Sequence, residues 1–464
     1  MYLLNHPRSA RVRGVLALTM VSLPLLVSCG HDHSGSGAGA TPSITSLTVT
    51  PTTIMRGQSA TVAWSTTGTA ACTGVGAWGG PKGATGSMSV SPAAEGKWTY
   101  SLECFASTGT VPAQQSVILT VIGSPYAVTP LVSDMAGVAA HQDPNLVNPW
   151  GIVAGPPTPF WVANAGSGTS TLYDGTGAPL PPPPTGPLVV TLGKSFAPTG
   201  IVFNGTQDFE ITGGTPPAAA PSLFIFSGAG GMLAGWNQSA ATGVVTFPGS
   251  TGASYKGLAI ASASGNNYLY ATDFANNKID VFNGSFALQS WPATAFVDPK
   301  LPSGYAPYGI QAIANGSGGA TLLYVTYAKQ TGNGDAMVGA GLGLLDVYDT
   351  SGTFKERLID VGGWLNEPWG IALAPVDFGT ASGQLLVGNF GDGTINEFDP
   401  AAGTYVGTLS DGNDKPLSYP GLWGIAFGND QQQQPHNTLF FAAGINNGSD
   451  GLYGRIDLET VAAP

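Results

Sequence analysis

A short motif that ends in Gly followed by Ile or Leu recurs six times after residue 148, and this repeat constrains the fold more than any other feature. Each motif is followed by a β-rich run, and in most repeats by a second one. The spacing of the motif is about 50 residues, and a unit of that size with three or four strands corresponds to one propeller blade. The motif glycines are Gly151, Gly200, Gly257, Gly309, Gly370 and Gly424.

Six such units predict a closed ring, because one blade alone cannot bury both of its faces and closure removes long open strand edges. We expect a six-bladed β-propeller over residues 125–462, with residues 125–135 supplying the outer strand of the last blade. The motif glycine is expected where strands crowd toward the axis. Composition agrees with an all-β, turn-rich chain, since it has 68 Gly and 36 Pro and only 9% charged residues.

Residues 42–123 alternate apolar and polar side chains in about seven short runs, as in Trp98, Tyr100, Leu102 and Cys104. This pattern predicts a β-sandwich. The segment resembles the Ig-like modules of bacterial surface proteins, although Trp64 precedes both cysteines, whereas the buried Trp of antibody domains lies between them. The fold class is therefore an immunoglobulin-like β-sandwich followed by a six-bladed propeller.

The first 28 residues have the layout of a signal peptide, with three arginines before an apolar run. Leu26-Val27-Ser28-Cys29 resembles a bacterial lipobox, which implies cleavage before Cys29 and lipid attachment to it; an ordinary signal peptide is the alternative. Residues 29–41 are expected to form a flexible tether. These features predict a lipoprotein of the bacterial cell envelope, at the outer membrane, with the lipid anchor as its membrane contact.

Two cysteines remain, Cys72 and Cys104. Because export leads to an oxidising compartment, we expect them to form a disulfide bond.

A family resemblance follows from the third repeat. The run from Leu269 to Phe282 resembles the NHL repeat, and residues 125–460 resemble a family of uncharacterised bacterial proteins with NHL-like six-bladed propellers. The resemblance implies the fold and is nearly silent about activity, since propellers carry many unrelated functions.

One candidate site comes from the residue before each motif glycine, which is a large aromatic in four repeats: Trp150, Tyr308, Trp369 and Trp423. A shared register places these rings at one height around the axis. They are predicted either to bind a sugar, a peptide or an aromatic ligand, or to pack between the blades.

A second candidate site comes from the residue that ends the first β-rich run after each motif. This residue is Asn or Asp in three repeats, at Asn164, Asp273 and Asn389. Carboxylate and amide oxygens from different blades are suitable ligands for calcium, as in six-bladed lactonases. The alternative is that these residues form turns. Asn148, Asn366 and Glu367 are rival calcium ligands. No other cofactor is expected.

Function is predicted by elimination. The net charge of −12 argues against nucleic acid, and the sequence has no nucleophile elbow, Walker motif or HExxH motif. No catalytic residue is therefore assigned. We expect a monomeric, non-enzymatic module that binds a protein or carbohydrate partner. A calcium-dependent propeller enzyme, lactonase-like or a lyase, is the alternative, and a docking platform is a third role.

Overall fold

The computed structural model describes residues 41–107, 111–181, 186–314, 319–332 and 334–459. The expected signal peptide, Cys29 and nearly all of the tether lie outside these residues. The regular secondary structure of the described chain is almost entirely β-strand.

The amino-terminal strands form a sandwich of two sheets, one of three strands and one of five. Alternate side chains point into a common core, for example Val62 and Trp64 from one sheet and Leu102 and Leu119 from the other. The predicted immunoglobulin-like sandwich is confirmed. Its strands are β1 (Ser43–Thr50), β2 (Thr53–Met55), β3 (Ala60–Thr67), β4 (Ala71–Gly76), β5 (Gly80–Lys82), β6 (Thr85–Val90), β7 (Gly96–Phe105) and β8 (Ala113–Ile122).

The predicted disulfide between Cys72 and Cys104 is confirmed, with Cα atoms 4.1 Å apart. The two residues are direct partners on the neighbouring strands β4 and β7, so the bond lies within one sheet. Trp78, which lies between the cysteines in sequence, is also buried and contacts Trp64 edge to face at 5.1 Å. The core therefore contains a tryptophan between the cysteines as well as one before them.

The remaining strands form six blades arranged as a propeller. The chain enters through β9 (Tyr126–Ser133) and β10 (His141–Gln142) and then builds the blades in sequence order. The first blade consists of β11 (Pro149–Val153), β12 (Phe160–Asn164), β13 (Thr169–Tyr173) and β14 (Val189–Thr191). The second consists of β15 (Pro198–Phe203), β18 (Phe224–Gly228), β19 (Leu233–Trp236) and β20 (Val244–Phe247), with an added hairpin of β16 (Glu210–Gly213) and β17 (Ala218–Pro221). The third consists of β21 (Tyr255–Ala263), β22 (Asn266–Asp273) and β23 (Lys278–Asn283).

The last three blades continue the same pattern. The fourth blade consists of β24 (Tyr305–Ala314), β25 (Thr321–Lys329), β26 (Gly343–Asp349) and β27 (Phe354–Ile359). The fifth consists of β28 (Pro368–Leu373), β29 (Leu385–Asn389), β30 (Ile395–Phe398) and β31 (Tyr405–Thr408). The sixth contains β32 (Leu422–Phe427), β33 (Leu439–Ala443) and β34 (Leu452–Leu458). A 3-10 turn spans Gly379–Ala381 and a short α-helix spans Ile445–Gly448. Within the described ranges, neither is long and apolar enough to cross a membrane.

The ring closes through strand β9, as the sequence predicted. β9 pairs antiparallel with β34 and becomes the outer strand of the sixth blade, with Tyr126 opposite Leu458 and Ser133 opposite Leu452. The inner strands contact one another in the order β11, β15, β21, β24, β28, β32 and back to β11. The amino-terminal and carboxy-terminal ends of the propeller are thus joined in one sheet.

The motif glycines lie where neighbouring inner strands approach most closely. A Cβ atom on Gly151 would lie 2.7 Å from the carbonyl oxygen of Thr199, and one on Gly424 would lie 2.7 Å from that of Trp150. The other four glycines face the following blade in the same way, and at Gly309 the added atom would overlap the carbonyl oxygen of Trp369. Glycine is therefore required by close backbone approach.

The sandwich is attached to the fifth blade by a buried ion cluster. Arg56 of the sandwich donates to the Glu397 carboxylate and to the Thr380 carbonyl, and its Nη1 lies 3.4 Å from Oε1 of Glu95. Burial raises the pKa of the Glu95 carboxyl to about 7, and the neighbouring Glu397 adds to this shift. One arginine thus serves two buried carboxyl groups, one from each unit.

This cluster predicts a pH-dependent stability. The native Glu95 carboxyl holds its proton up to about pH 7, whereas the unfolded chain loses it near pH 4.5. Stability is therefore lost as pH rises through this window, by up to about 3 kcal/mol. Glu95→Gln is expected to raise the melting temperature at pH 8, with a smaller gain at pH 5. Calorimetry at both pH values, with the exposed Glu210→Gln as control, checks this. Equal effects of Glu95→Gln at the two pH values would contradict it.

Candidate functional site

The four motif aromatics converge on the propeller axis, where the inner strands β11, β24, β28 and β32 begin. Trp150 and Trp423 stack face to face, with ring centroids 3.4 Å apart and planes 17° apart. Trp369 meets both nearly at right angles, at 6.3 and 6.0 Å, and Tyr308 lies 5.9 Å from Trp423. We call these four residues the axial aromatic cluster.

Most of the axial aromatic cluster is buried. The exposed fractions of Trp150, Tyr308 and Trp423 are 8%, 4% and 3%, whereas Trp369 is half-buried. Trp150 and Trp369 both contact Trp423 from blades adjacent to its own, whereas the contacts of Trp150 with Trp369 and of Tyr308 with Trp423 skip one blade. The rings therefore pack between adjacent blades as well as across the axis. The cluster fills this end of the channel and presents Trp369 at its surface.

Two further rings, Phe274 and Phe390, complete the packing. Phe390 lies 4.1 Å from Trp423 and Phe274 lies 4.9 Å from Tyr308, measured between centroids. Sequence reasoning missed both. Their position in the repeat could have revealed them, because each directly follows the polar residue that ends the second strand of its blade.

Several hydrogen-bond donors of the cluster have no acceptor. Among the described residues, the buried Nε1 atoms of Trp150 and Trp423 have no partner, and no hydrogen bond is formed by the Tyr308 hydroxyl. Trp369 differs, since its Nε1 donates to the Lys256 carbonyl at 3.2 Å. Unpaired buried donors are costly, so the cluster favours an added acceptor.

Lys256 occupies the same motif position as the four aromatics, in the third blade. Its ammonium lies over the Trp150 ring, 5.4 Å from the centroid, as in a cation–π contact. Within the described chain, the Nζ atom forms no hydrogen bond and no ion pair. Burial lowers the pKa of this ammonium, although Asp335 opposes the shift. The sequence placed Lys256 in the register without assigning it a role.

Glu367 places a carboxyl group beside the cluster. The residue is 2% exposed, and its Oε2 atom has no hydrogen-bond partner among the described residues. Burial raises the pKa of this carboxyl to about 7, and Asp335 contributes to the shift. Its backbone φ of 49° lies in the left-handed region, which is uncommon for a residue with a long side chain. Glu367 is therefore neutral in acid solution and a hydrogen-bond donor there.

The second predicted set, Asn164, Asp273 and Asn389, is fully buried at the ends of β12, β22 and β29. Each side chain bonds within its own blade. Asn164 donates to Thr171, Asp273 accepts from the Ser254 amide, and Asn389 donates to the Trp364 carbonyl. The three thus fix local loops, and no hydrogen bond in the described ranges joins one to another.

The rival calcium ligands lie in the loops before β11 and β28. Asn366 donates to Asp392 and accepts from the Gly339 amide. Asn148 has a left-handed φ of 46° directly before Pro149. Among the described residues, no three His, Cys, Asp or Glu side chains are grouped so as to hold a metal ion.

The opposite end of the channel holds a cavity of about 480 Å³. Its walls are aliphatic and aromatic, with Ile201, Leu258 and Ile425 among them, and Gln311 is the polar side chain of the lining. This end of the channel can hold an apolar group. None of its described lining residues is charged, so they offer no charged group that could select a ligand.

Comparison with known proteins finds relatives in a virus. The chain is 35% identical to "Uncharacterized protein R648" of Acanthamoeba polyphaga mimivirus over 355 residues, which cover 72% of this chain and 81% of that protein. It is 33% identical to "Uncharacterized protein L690" of the same virus over 362 residues, covering 72% and 87%. A solved structure, virginiamycin B lyase from Staphylococcus aureus, matches with 15% identity and a TM-score of 0.39, covering 78% of this chain and 92% of that chain. No family model matches the chain.

These relatives correct two expectations. The assignment to a bacterial NHL-like family is wrong, because the matching relatives are mimivirus proteins. Location in a bacterial cell envelope is wrong for the same reason. That location was inferred from the three arginines, the apolar run and the four-residue pattern ending at Cys29, which lie outside the described residues.

Proposed function

The chain belongs to one family with these two mimivirus proteins, and we propose that its propeller is a binding module that holds a small organic ligand at the axial aromatic cluster. The observation that carries the proposal is the set of buried donors without acceptors, above all Nε1 of Trp150 and Nε1 of Trp423. A ligand oxygen that accepts hydrogen bonds from them would remove the energetic cost of leaving these two donors unpaired.

The ring contacts favour edge recognition over stacking. Trp150 has Trp423 against one face and the Lys256 ammonium over its ring, and Trp423 also packs on Phe390. The faces of both indoles are therefore largely used within the protein, whereas their N–H edges are not. This supports a ligand recognised through oxygen acceptors, with the half-buried Trp369 available to its apolar body. A carbohydrate partner has acceptors as well, but it gains less here from stacking.

The test uses benzoate as a probe and removes one N–H group at a time. Trp423→Phe keeps an aromatic ring and deletes the donor, and we expect it to weaken benzoate binding about tenfold, the equivalent of one hydrogen bond. Trp291→Phe, at the outer edge of the third blade, is the control and should bind as the parent chain does. Ligand-observed NMR titration measures both. Undetectable benzoate binding by the parent chain, or an unchanged affinity in Trp423→Phe, would overturn the proposal.

A further inference from the structure

We propose that the axial site selects ligands that carry a carboxylate, and that Lys256 is the residue that makes this selection. The inference rests on the proposed function and adds the charge of the ligand to it.

The position of Lys256 supports this role. The motif register brings one cation among the aromatic side chains at the axis, and the cation is half-buried. Its ammonium rests over Trp150 and has no hydrogen bond or ion pair within the described ranges. An ammonium that is removed from water and keeps its charge is normally paired with an acceptor. An unpaired ammonium beside other unpaired hydrogen-bond donors therefore favours a ligand that carries a negative charge.

The surrounding donors match the oxygens of a carboxylate. A carboxylate accepts several hydrogen bonds at once, and the unpaired donors of the axial site are the ammonium, the Tyr308 hydroxyl and the two indole N–H groups. Charge-assisted bonds of this kind are roughly twice as strong as neutral ones. Ligands with a neutral amide in place of the carboxylate lose that gain.

The acidic groups near the site limit this selectivity but do not reverse it. Glu367 is protonated below about pH 7 because burial raises its pKa. Asp335 lies on an exposed loop, which is tied to the cluster by the Gln330 side chain donating to the Phe274 carbonyl at 2.6 Å. An ion pair between Asp335 and Lys256 is not formed, so the ammonium stays available. A cationic ligand would need open ring faces, and these are largely covered.

The experiment compares benzoate with benzamide, which have the same ring and differ in charge. At pH 6 the full chain is expected to bind benzoate at least tenfold more tightly than benzamide. Lys256→Met keeps the length of the side chain and removes its charge, and it should reduce the ratio to about one. Lys194→Met, at an exposed position, should keep the parent ratio.

The outcomes separate the two proposals. If neither probe binds, the proposed function fails and this inference fails with it. If benzamide binds as tightly as benzoate in the parent chain, the binding module stands and the carboxylate selection is wrong. A preference for benzoate that persists in Lys256→Met would likewise overturn the role of Lys256. Melting temperatures of the variants verify that each is folded.

Discussion

Gly309→Ala is expected to destabilise the propeller by at least about 3 kcal/mol, since overpacking against backbone leaves no side chain to move aside. The added methyl group would overlap the Trp369 carbonyl and lie 2.8 Å from Oγ1 of Thr326. The neighbouring blade is one member of a closed ring, so it cannot retreat without disturbing the other blades. Urea unfolding measures the loss.

The matched control is Gly363→Ala. A Cβ at Gly363 meets no atom within 4 Å, and the residue has no left-handed φ, so its stability should remain within about 0.5 kcal/mol of the parent. Equal stability of Gly309→Ala and the parent chain would show that the inner strands are not packed as closely as described.

Removing strand β9 is expected to have a larger effect still. A chain that begins at Pro125 keeps β9 and should unfold cooperatively, because the ring can close. A chain that begins at Asp134 lacks it, leaving β34 with an open edge and exposing the core around Ile456 and Phe441. We expect this second chain to lose cooperative unfolding and to aggregate. Calorimetry and light scattering on the two chains distinguish the outcomes, and cooperative unfolding of the shorter one would contradict closure by β9.

Much of this fold could be predicted from sequence because its main determinant is repeated. Six glycines at similar spacing indicate six blades, and a leftover strand before the first motif indicates how the ring closes. The pairing of Cys72 with Cys104 was predicted because these are the two cysteines that remain once Cys29 is set aside. Each of these features is either local or repeated, so the chain alone reveals it.

The candidate site was predicted only in part, because its contacts form between blades that are far apart in the chain. The register showed that Trp150 and Trp423 share a height, but their stacking depends on how the blades tilt, and they are 273 positions apart by their numbers. Which indole N–H groups stay unpaired likewise depends on every neighbouring loop. The ion pair between Arg56 and Glu397 joins the sandwich to the propeller, and no sequence pattern in either unit predicts it.

The wrong assignment of cellular location has a different origin. It was based on a short sequence pattern that ends at Cys29, outside the described residues. The relatives that correct it match over 72% of the chain and are viral proteins.

The central claim is that the indole N–H groups at the axis donate hydrogen bonds to a ligand oxygen. Its most direct test is an NMR titration of the ¹⁵N-labelled chain with benzoate, following the indole N–H signals. The Nε1–H signals of Trp150 and Trp423 are expected to move downfield together as benzoate saturates the site. The signal of Trp236, which already donates to the Ala240 carbonyl, should stay in place. Unmoved signals from Trp150 and Trp423 at saturating benzoate would contradict the claim.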